Sequence, residues 1–240
     1  FFFHKYLSVH SLIPMEIRIL SAFSLPFFRL NFGKDRFFAG FVLRNEMGNC
    51  YTRGMNRFEK AKGHLKTINQ HKVKVTQLCF QCGLYKQGVL HDLSKYTPCE
   101  LKTGFRYYQG FRSPIDAQKE KEGYSYSWLH HKGRNPHHWE FWIDHSPKGV
   151  IAQPMPFNYV AEMFCDRVAA SMIYQKDKYS DASALNYYLR GKDHMLIHEQ
   201  SRKELEYLLN DLADHGLEVS MNHLKKMLAQ YRKTGKSPIQ

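Results

Sequence analysis

The apolar side chains of this chain recur at helical spacing, and this spacing limits the possible fold more than any other feature. Between 57 and 82 the pattern predicts one long amphipathic helix, with Gly83 as its C-terminal stop. A second, strongly apolar helix is predicted from Phe157 to Gln175. No segment shows sustained strand-like alternation. The predicted fold class is therefore all-α.

Shorter helices are predicted around these two. A capping residue followed by proline indicates a helix start at Thr97-Pro98, where Glu100 completes a capping box, and again at Asn135-Pro136. The charged segment from Ser113 to Gly123 is predicted to be solvated, and a loop is predicted from 143 to 156. Further helices are predicted over 87–93, 124–131, 182–190, 198–214 and 219–232, with Gly216 between the last two.

Residues 1–54 differ from the rest of the chain. They are Phe-rich and hold no convincing site residues, and an amphipathic pattern begins abruptly at Met55. We expect an N-terminal extension over 1–54, upstream of a natural start at Met55, a metal-binding helical core over 55–180, and C-terminal helices packed on that core over 181–240. The alternative is an N-terminal subdomain that packs its Phe side chains on the core. The intact mass of the native protein would distinguish the two.

Composition limits the partners and the compartment. The net charge of +13 favours an anionic partner, and nucleic acid, a nucleotide phosphate or a membrane surface would each fit. The longest apolar stretch near the N-terminus, 19–28, is too short to span a bilayer, so no membrane span is expected. Five scattered cysteines do not form a disulfide framework, which favours a cytoplasmic location. Cys79 and Cys82 are interpreted as core residues.

The segment Leu90-His91-Asp92-Leu93-Ser94-Lys95 is the most informative part of the sequence. Asp offers a hard oxygen and His a borderline nitrogen, which together suit Mn, Fe, Zn or Mg with open coordination positions. Lys95 lies one turn beyond His91 and could meet a substrate phosphate as a point charge. Taken alone, a His-Asp pair is weak evidence for a metal site, and a helix cap or a surface position is the better interpretation.

This segment resembles the signature of the HD superfamily, in which an apolar run ends in His-Asp followed by a small residue and Lys. In that superfamily a His precedes the pair by about twenty residues, and an Asp follows on a later helix. The counterparts here are His71 and Asp166. The resemblance implies an HD-like helical bundle with His71, His91, Asp92 and Asp166 as metal ligands. The chain also resembles an uncharacterised bacterial family of HD-like proteins.

The second informative segment runs from Leu129 to Glu140 and holds His130, His131, His137 and His138 across a Gly/Pro turn. Some HD hydrolases are similar in adding His ligands here that hold a second metal. That likeness implies His131 and His138 as ligands, with His137 as a further candidate. The alternative is a single metal surrounded by His side chains that orient its ligands.

Other residues near these segments have weaker signals. Asp166 is costly to bury on an apolar helix unless it binds a metal or pairs with an Arg. Glu162 lies one turn before Asp166 and could act as a general base or hold a water, or it could be an exposed helix residue. Arg134 could bind phosphate. Asn135 is interpreted as a helix cap, and His64 as a surface residue.

The expected function is metal-dependent hydrolysis of a phosphomonoester or phosphodiester, with a nucleotide-like substrate and one or two divalent ions. The predicted catalytic residues are Asp92, Lys95, Glu162 and Arg134. Two alternatives remain open. One is an HD-fold di-iron oxygenase, and the other is a non-catalytic, metal-stabilised module that binds nucleic acid or protein through its basic surface.

Overall fold

The computed structural model describes residues 55–239. This part of the chain is predominantly helical, which confirms the all-α prediction, although it also contains a two-stranded hairpin. The predicted extension and the start at Met55 concern residues 1–54, which lie outside the described residues. No helix within 55–239 has the length and apolar character needed to cross a membrane.

Eight α-helices and two strands follow one another in the described part of the chain. They are α1 (Arg57–Gln81), α2 (Tyr85–Leu90), α3 (Pro98–Tyr107), α4 (Pro114–Glu122), α5 (Tyr126–Lys132), β1 (Ile143–Ser146), β2 (Gly149–Ala152), α6 (Phe157–Gln175), α7 (Ser183–Leu189) and α8 (Glu199–Thr234). Single 3-10 turns lie at Leu93–Tyr96, Trp139–Trp142, Lys176–Lys178 and Lys192–His194.

The core lies where α6 packs against α1 on one side and α8 on the other. Val75, Phe164 and Leu212 represent the three helices in it and are essentially inaccessible to solvent. Cys79 and Cys82 are fully buried in the same core, as their interpretation predicted. Burial of apolar surface at this junction fixes α1 beside α6, and these are the two helices that carry His71 and Asp166.

The predicted boundaries of α1 are correct because local capping sets them. Asn56 accepts a hydrogen bond from the amide of Glu59 at 2.9 Å, and the Glu59 carboxylate accepts one from the amide of Asn56 at 2.8 Å. This is a complete capping box. At the other end, Gly83 takes a φ of 85°, which a glycine adopts without strain.

Helix α2 ends three residues before the predicted boundary at Leu93. The Lys72 ammonium on α1 donates hydrogen bonds to the carbonyls of Gly88 at 3.1 Å, Val89 at 2.5 Å and His91 at 2.7 Å. Carbonyls at a helix C-terminus have no hydrogen-bond partner within the helix. A cation that donates hydrogen bonds to them therefore stabilises the end of the helix. The chain therefore leaves the helix at His91, directly before Asp92.

Three further local predictions are wrong. Thr97 does not cap α3 with its side chain, because its hydroxyl donates to the carbonyl of Ser94 at 2.7 Å. The segment predicted to be solvated forms α4, which buries Ala117 and Gln118. Strands β1 and β2 occupy part of the predicted loop over 143–156 and pair antiparallel, with Ser146 opposite Gly149.

The predicted C-terminal break at Gly216 is present. The span Glu199–Thr234 consists of two helices that meet at a kink, where Gly216 leaves helical backbone angles, with φ at 77° and ψ at 168°. A glycine reaches this region without a Cβ clash, so the chain turns there between the two halves of α8.

Candidate metal centre

His91 and Asp92 face the same point because the chain changes conformation between them. His91 is extended, with φ at −48° and ψ at 129°, and Asp92 is left-handed, with φ at 54°. Adjacent residues within a helix point in different directions, but this turn brings His91 Nε2 to 3.2 Å from Asp92 Oδ2. Aspartate tolerates a left-handed backbone better than most side chains.

The first cluster consists of His71, His91, Asp92 and Asp166. The closest pair is His71 Nε2 and Asp166 Oδ1, at 2.9 Å, and His91 Nε2 lies 3.5 Å from the same oxygen. One donor atom from each of the four residues lies within 4.8 Å of the others, as an ion at their centre requires. The four predicted HD-type positions therefore come together.

The second cluster consists of Asp92, His131, His137 and His138, and its donor atoms satisfy the same 4.8 Å limit. His131 Nε2 lies 3.1 Å and His137 Nε2 lies 3.4 Å from Asp92 Oδ1. The rings of His137 and His138 pack with their centroids 4.2 Å apart. The His-rich segment thus supplies three side chains here, and Asp92 belongs to both clusters.

Glu162 lies between the two clusters and is buried, so the exposed-residue alternative is wrong. Its Oε1 accepts a hydrogen bond from His91 Nδ1 at 2.9 Å and lies 3.1 Å from His137 Nδ1. Burial raises the pKa of this carboxyl, but the contacts with His137 and His91 outweigh that effect and hold it below its usual value. Glu162 is therefore an ionised carboxylate that faces two imidazoles.

The atoms that face the centre of each cluster have the properties of metal ligands. These atoms are buried and make no hydrogen bond of suitable geometry, even where a carboxylate oxygen and an imidazole nitrogen lie about 3 Å apart. Asp92 Oδ2 has an ion pair with the Lys95 ammonium, but within the described residues no Lys or Arg pairs with the others. Leaving buried polar atoms unpaired is costly, so their convergence fits a bound cation. These atoms are His71 Nε2, His91 Nε2, both Oδ atoms of Asp92, His137 Nε2 and His138 Nε2.

The electrostatics set different protonation states within the clusters. Burial raises the pKa of Asp92, but His91, Lys95 and His131 outweigh it and hold that pKa well below its usual value. Burial, together with His137 and His131, holds the pKa of His138 well below its usual value. Asp92 is therefore an anion and His138 a neutral imidazole with a free lone pair. Burial lowers the pKa of His91 and His131, but Asp92 and the other carboxylates beside them outweigh it and raise both, so a metal would displace a proton from these two rings.

A hydrogen-bond network outside the clusters holds His131, and sequence reasoning missed it. Glu100 Oε2 accepts from His131 Nδ1 at 2.9 Å, and Glu100 Oε1 accepts from His130 Nδ1 at 2.8 Å. The Asn135 amide donates to Ser94 Oγ at 2.8 Å and to the carbonyl of His131 at 2.7 Å. Both Glu100 and Asn135 were interpreted as helix caps, and both instead support the His-rich segment.

Three other residues discussed from the sequence, Lys95, Arg134 and His64, belong to neither cluster. Lys95 forms an ion pair with Asp92 Oδ2. Arg134 is exposed and donates to the carbonyl of His130 at 3.3 Å, so the structure does not bring it to either cluster. The surface assignment of His64 is wrong. That ring is buried against Phe105 and Tyr108, and burial lowers its pKa to about 4.

Each cluster has three buried members and one that is partly exposed, Asp166 in the first and His138 in the second. Beside the first cluster, the side chains of Asp166 and Lys95 are 18% and 24% exposed. Solvent therefore reaches the first cluster on the side that carries the Lys95 ammonium.

The fold and the site together define an all-helical protein with buried His/Asp clusters that could hold a metal ion. The chain belongs to the family of unknown function DUF5662, whose model matches residues 60–211. That range contains every residue of both clusters, together with Glu100 and Glu162. No curated protein and no solved structure matches the chain.

Proposed function

We propose that this chain is an HD-type, metal-dependent phosphohydrolase that uses two divalent ions and acts on a phosphomonoester or phosphodiester, with a nucleotide-like compound as its substrate. The observation that carries this proposal is the sharing of Asp92. Its two oxygens face different sets of imidazoles, with His91 beside Oδ2 and His131 beside Oδ1. A carboxylate placed in this way suits a bridge between two cations.

The donor set limits the identity of the ions. Each cluster mixes imidazole nitrogens with carboxylate oxygens and contains no thiolate, which suits Mn, Fe, Zn or Mg. When bound, such ions lower the pKa of water to near neutrality and stabilise the negative charge that develops on phosphate oxygens.

The chain's own residues supply the remaining parts of this chemistry. Lys95 lies on the open side of the centre, where its ammonium can donate a hydrogen bond to a phosphate oxygen. Asp166, a proposed ligand of the first ion, is partly exposed in the same cluster. Glu162 Oε1 already faces two imidazole nitrogens, so it is a poor proton acceptor for water.

Two properties of the sequence support a phosphorylated substrate. The resemblance of the His-Asp segment to the HD signature associates this ligand pattern with phosphoester hydrolysis. The net charge of +13 favours the approach of anions such as nucleotides.

The first test is the metal content of protein purified without chelator, measured by elemental analysis for the wild type and for the double variant His91→Ala/Asp92→Ala. We expect about two metal equivalents in the wild type and almost none in the variant, because the two substitutions remove ligands from both clusters. Hydrolysis of p-nitrophenyl phosphate and of its bis-ester is then measured on both proteins and should follow the metal content.

Two outcomes would overturn the proposal. Iron as the main metal, with oxygen consumption and no phosphoester hydrolysis, would identify a di-iron oxygenase. A wild type that binds no metal, does not hydrolyse either ester and binds nucleic acid in a salt-dependent way would identify a binding module.

A further inference from the structure

Glu162 is placed where it can act on both clusters at once. It lies on α6, four residues before Asp166, and its side chain is 6% exposed. One oxygen, Oε1, lies 2.9 Å from Nδ1 of His91 in the first cluster and 3.1 Å from Nδ1 of His137 in the second. The two rings lie side by side, with centroids 4.4 Å apart and planes 35° apart.

This contact determines which nitrogen of each ring faces the ions. A carboxylate only accepts hydrogen bonds, so His91 Nδ1 donates to Glu162, and His137 Nδ1, 3.1 Å from the same oxygen, faces it in the same way. The Nε2 atoms face Asp92, at 3.2 Å from Oδ2 for His91 and 3.4 Å from Oδ1 for His137, so an ion bound between them and that carboxylate would take their lone pairs. Neither Nε2 has a hydrogen-bond partner, so both are free to coordinate.

We infer that Glu162 is a positioning residue shared by the two metal sites, and that it holds one imidazole ligand of each site in the coordinating tautomer through a single oxygen. The inference rests on the proposed metal sites but not on the reaction that they catalyse. Because one oxygen serves both rings, a change at Glu162 must affect both sites together.

Glu100 provides a natural comparison with Glu162. It is also buried and accepts from two imidazoles, at 2.9 Å from His131 Nδ1 and 2.8 Å from His130 Nδ1. His131 belongs to the second cluster, whereas His130 belongs to neither. A change at Glu100 should therefore weaken the second site alone.

The test is calorimetric titration of metal-free, full-length protein with Zn²⁺ alone, for the wild type, Glu162→Gln and Glu100→Gln. Gln keeps the shape of the side chain and removes the charge. We expect Glu162→Gln to weaken Zn²⁺ binding at both sites by about 10- to 100-fold, and Glu100→Gln to weaken one site by a similar factor. Equal effects of the two variants, or an effect of Glu162→Gln on one site alone, would overturn the inference.

Glu204→Gln is the matched control. Glu204 is a buried glutamate on α8 whose Oε1 bonds Gln200 and Ser237, and it belongs to neither cluster. Its substitution should leave both Zn²⁺ affinities unchanged. Loss of Zn²⁺ binding in this control as well would mean that removal of any buried charge disturbs the sites, and the inference would fail.

A measurement on the wild type keeps the inference testable if the Glu162 variant does not fold. Nitrogen-15 spectra of the imidazoles in Zn²⁺-loaded protein should show His91 and His137 protonated at Nδ1, and a proton on Nε2 of either ring would overturn the inference. The outcomes also separate the two proposals. Tight Zn²⁺ binding that depends on Glu162, without phosphoester hydrolysis, would overturn the proposed function alone. Phosphoester hydrolysis by the wild type, together with Zn²⁺ affinities that are the same in the wild type and in Glu162→Gln, would overturn this inference alone.

Discussion

The two clusters meet at Asp92 but are built in different ways. The first is assembled across the fold, because His71 lies on α1 and Asp166 on α6, 95 residues later in the chain. The second takes its three histidines from a span of eight residues, His131 to His138. The first therefore depends on the packing of α1 against α6, whereas the second depends mainly on one local turn and on Asp92.

The clusters also differ in what lies beside them. Lys95 pairs with Asp92 Oδ2, the oxygen next to His91 of the first cluster, whereas Oδ1 faces His131 and His137 of the second. A cation that can meet a phosphate therefore lies next to the first cluster. We expect the substrate on that side, with the second cluster completing the charge of the centre. Four predictions test this division.

The largest effect is expected from Asp92→Asn, because Asp92 belongs to both clusters. Asn has almost the same shape and also tolerates the left-handed backbone at this position, where φ is 54°. We expect the metal content to fall from about two equivalents to almost none, since both sites lose their shared anion. Elemental analysis measures the content, and circular dichroism checks the fold. Retention of one equivalent would show that Asp92 serves a single site.

The next effect separates the clusters from each other. Asp166→Asn should remove the ion of the first cluster only, and His138→Ala that of the second only, so each variant should keep about one equivalent. Asp166→Asn should abolish phosphoester hydrolysis because it removes the solvent-facing ion. Elemental analysis with parallel hydrolysis assays measures both quantities. If either variant loses both ions, the clusters do not bind metal separately.

The difference between the clusters also explains what the sequence could predict. The helices that carry His71 and Asp166 are long and have clear apolar periodicity, and α1 has a complete capping box, so both helices were predicted correctly. The two residues themselves were selected through the resemblance of the His91-Asp92 segment to a known signature, and the structure brings all four side chains together. Patterns that repeat over several turns therefore located the helices, and the family motif located the residues of the first cluster.

The missed residues depend on packing, which a local pattern does not contain. The pattern Thr97-Pro98-Cys99-Glu100 is typical both of a capping box and of a helix that starts with proline and buries its acid. Only the packing of α5 places His131 beside Glu100. Asn135-Pro136 is ambiguous for the same reason. His64 was placed on the surface because nothing in α1 shows that Phe105 will cover it. The hairpin has four-residue strands, too short for a clear alternation.

Chelation should release the two ions in two steps, and the ion of the first cluster should leave first because the Lys95 ammonium beside Asp92 Oδ2 repels a cation there. Metal that binds only the folded state stabilises it, by about 2.7 kcal/mol at a free concentration 100 times the Kd. Its removal should therefore lower the Tm by roughly 5–11 °C. Time-resolved metal release and calorimetry check this result. Simultaneous release of both ions would contradict this difference between the clusters.

The smallest effects concern the two cations that the sequence associated with phosphate, Lys95 and Arg134. Lys95 lies on the open side of the first cluster, paired with Asp92, whereas Arg134 is exposed beside the His-rich turn. Loss of a charged hydrogen bond to phosphate costs about 1.5–3 kcal/mol, so Lys95→Met should lower kcat/KM for p-nitrophenyl phosphate by about 10- to 150-fold while both ions remain bound.

Arg134→Ala should change kcat/KM by less than about fivefold, because an exposed charge contributes at most about 1 kcal/mol. Steady-state kinetics with elemental analysis of the same samples measures both variants. Neither substitution removes a proposed metal ligand, but Lys95 pairs with Asp92, so a fall in kcat/KM is assigned to lost substrate contact only where the metal content is unchanged. An Arg134→Ala effect as large as that of Lys95→Met would mean that the substrate extends over the second cluster as well, and the placement of the substrate beside the first cluster would not hold.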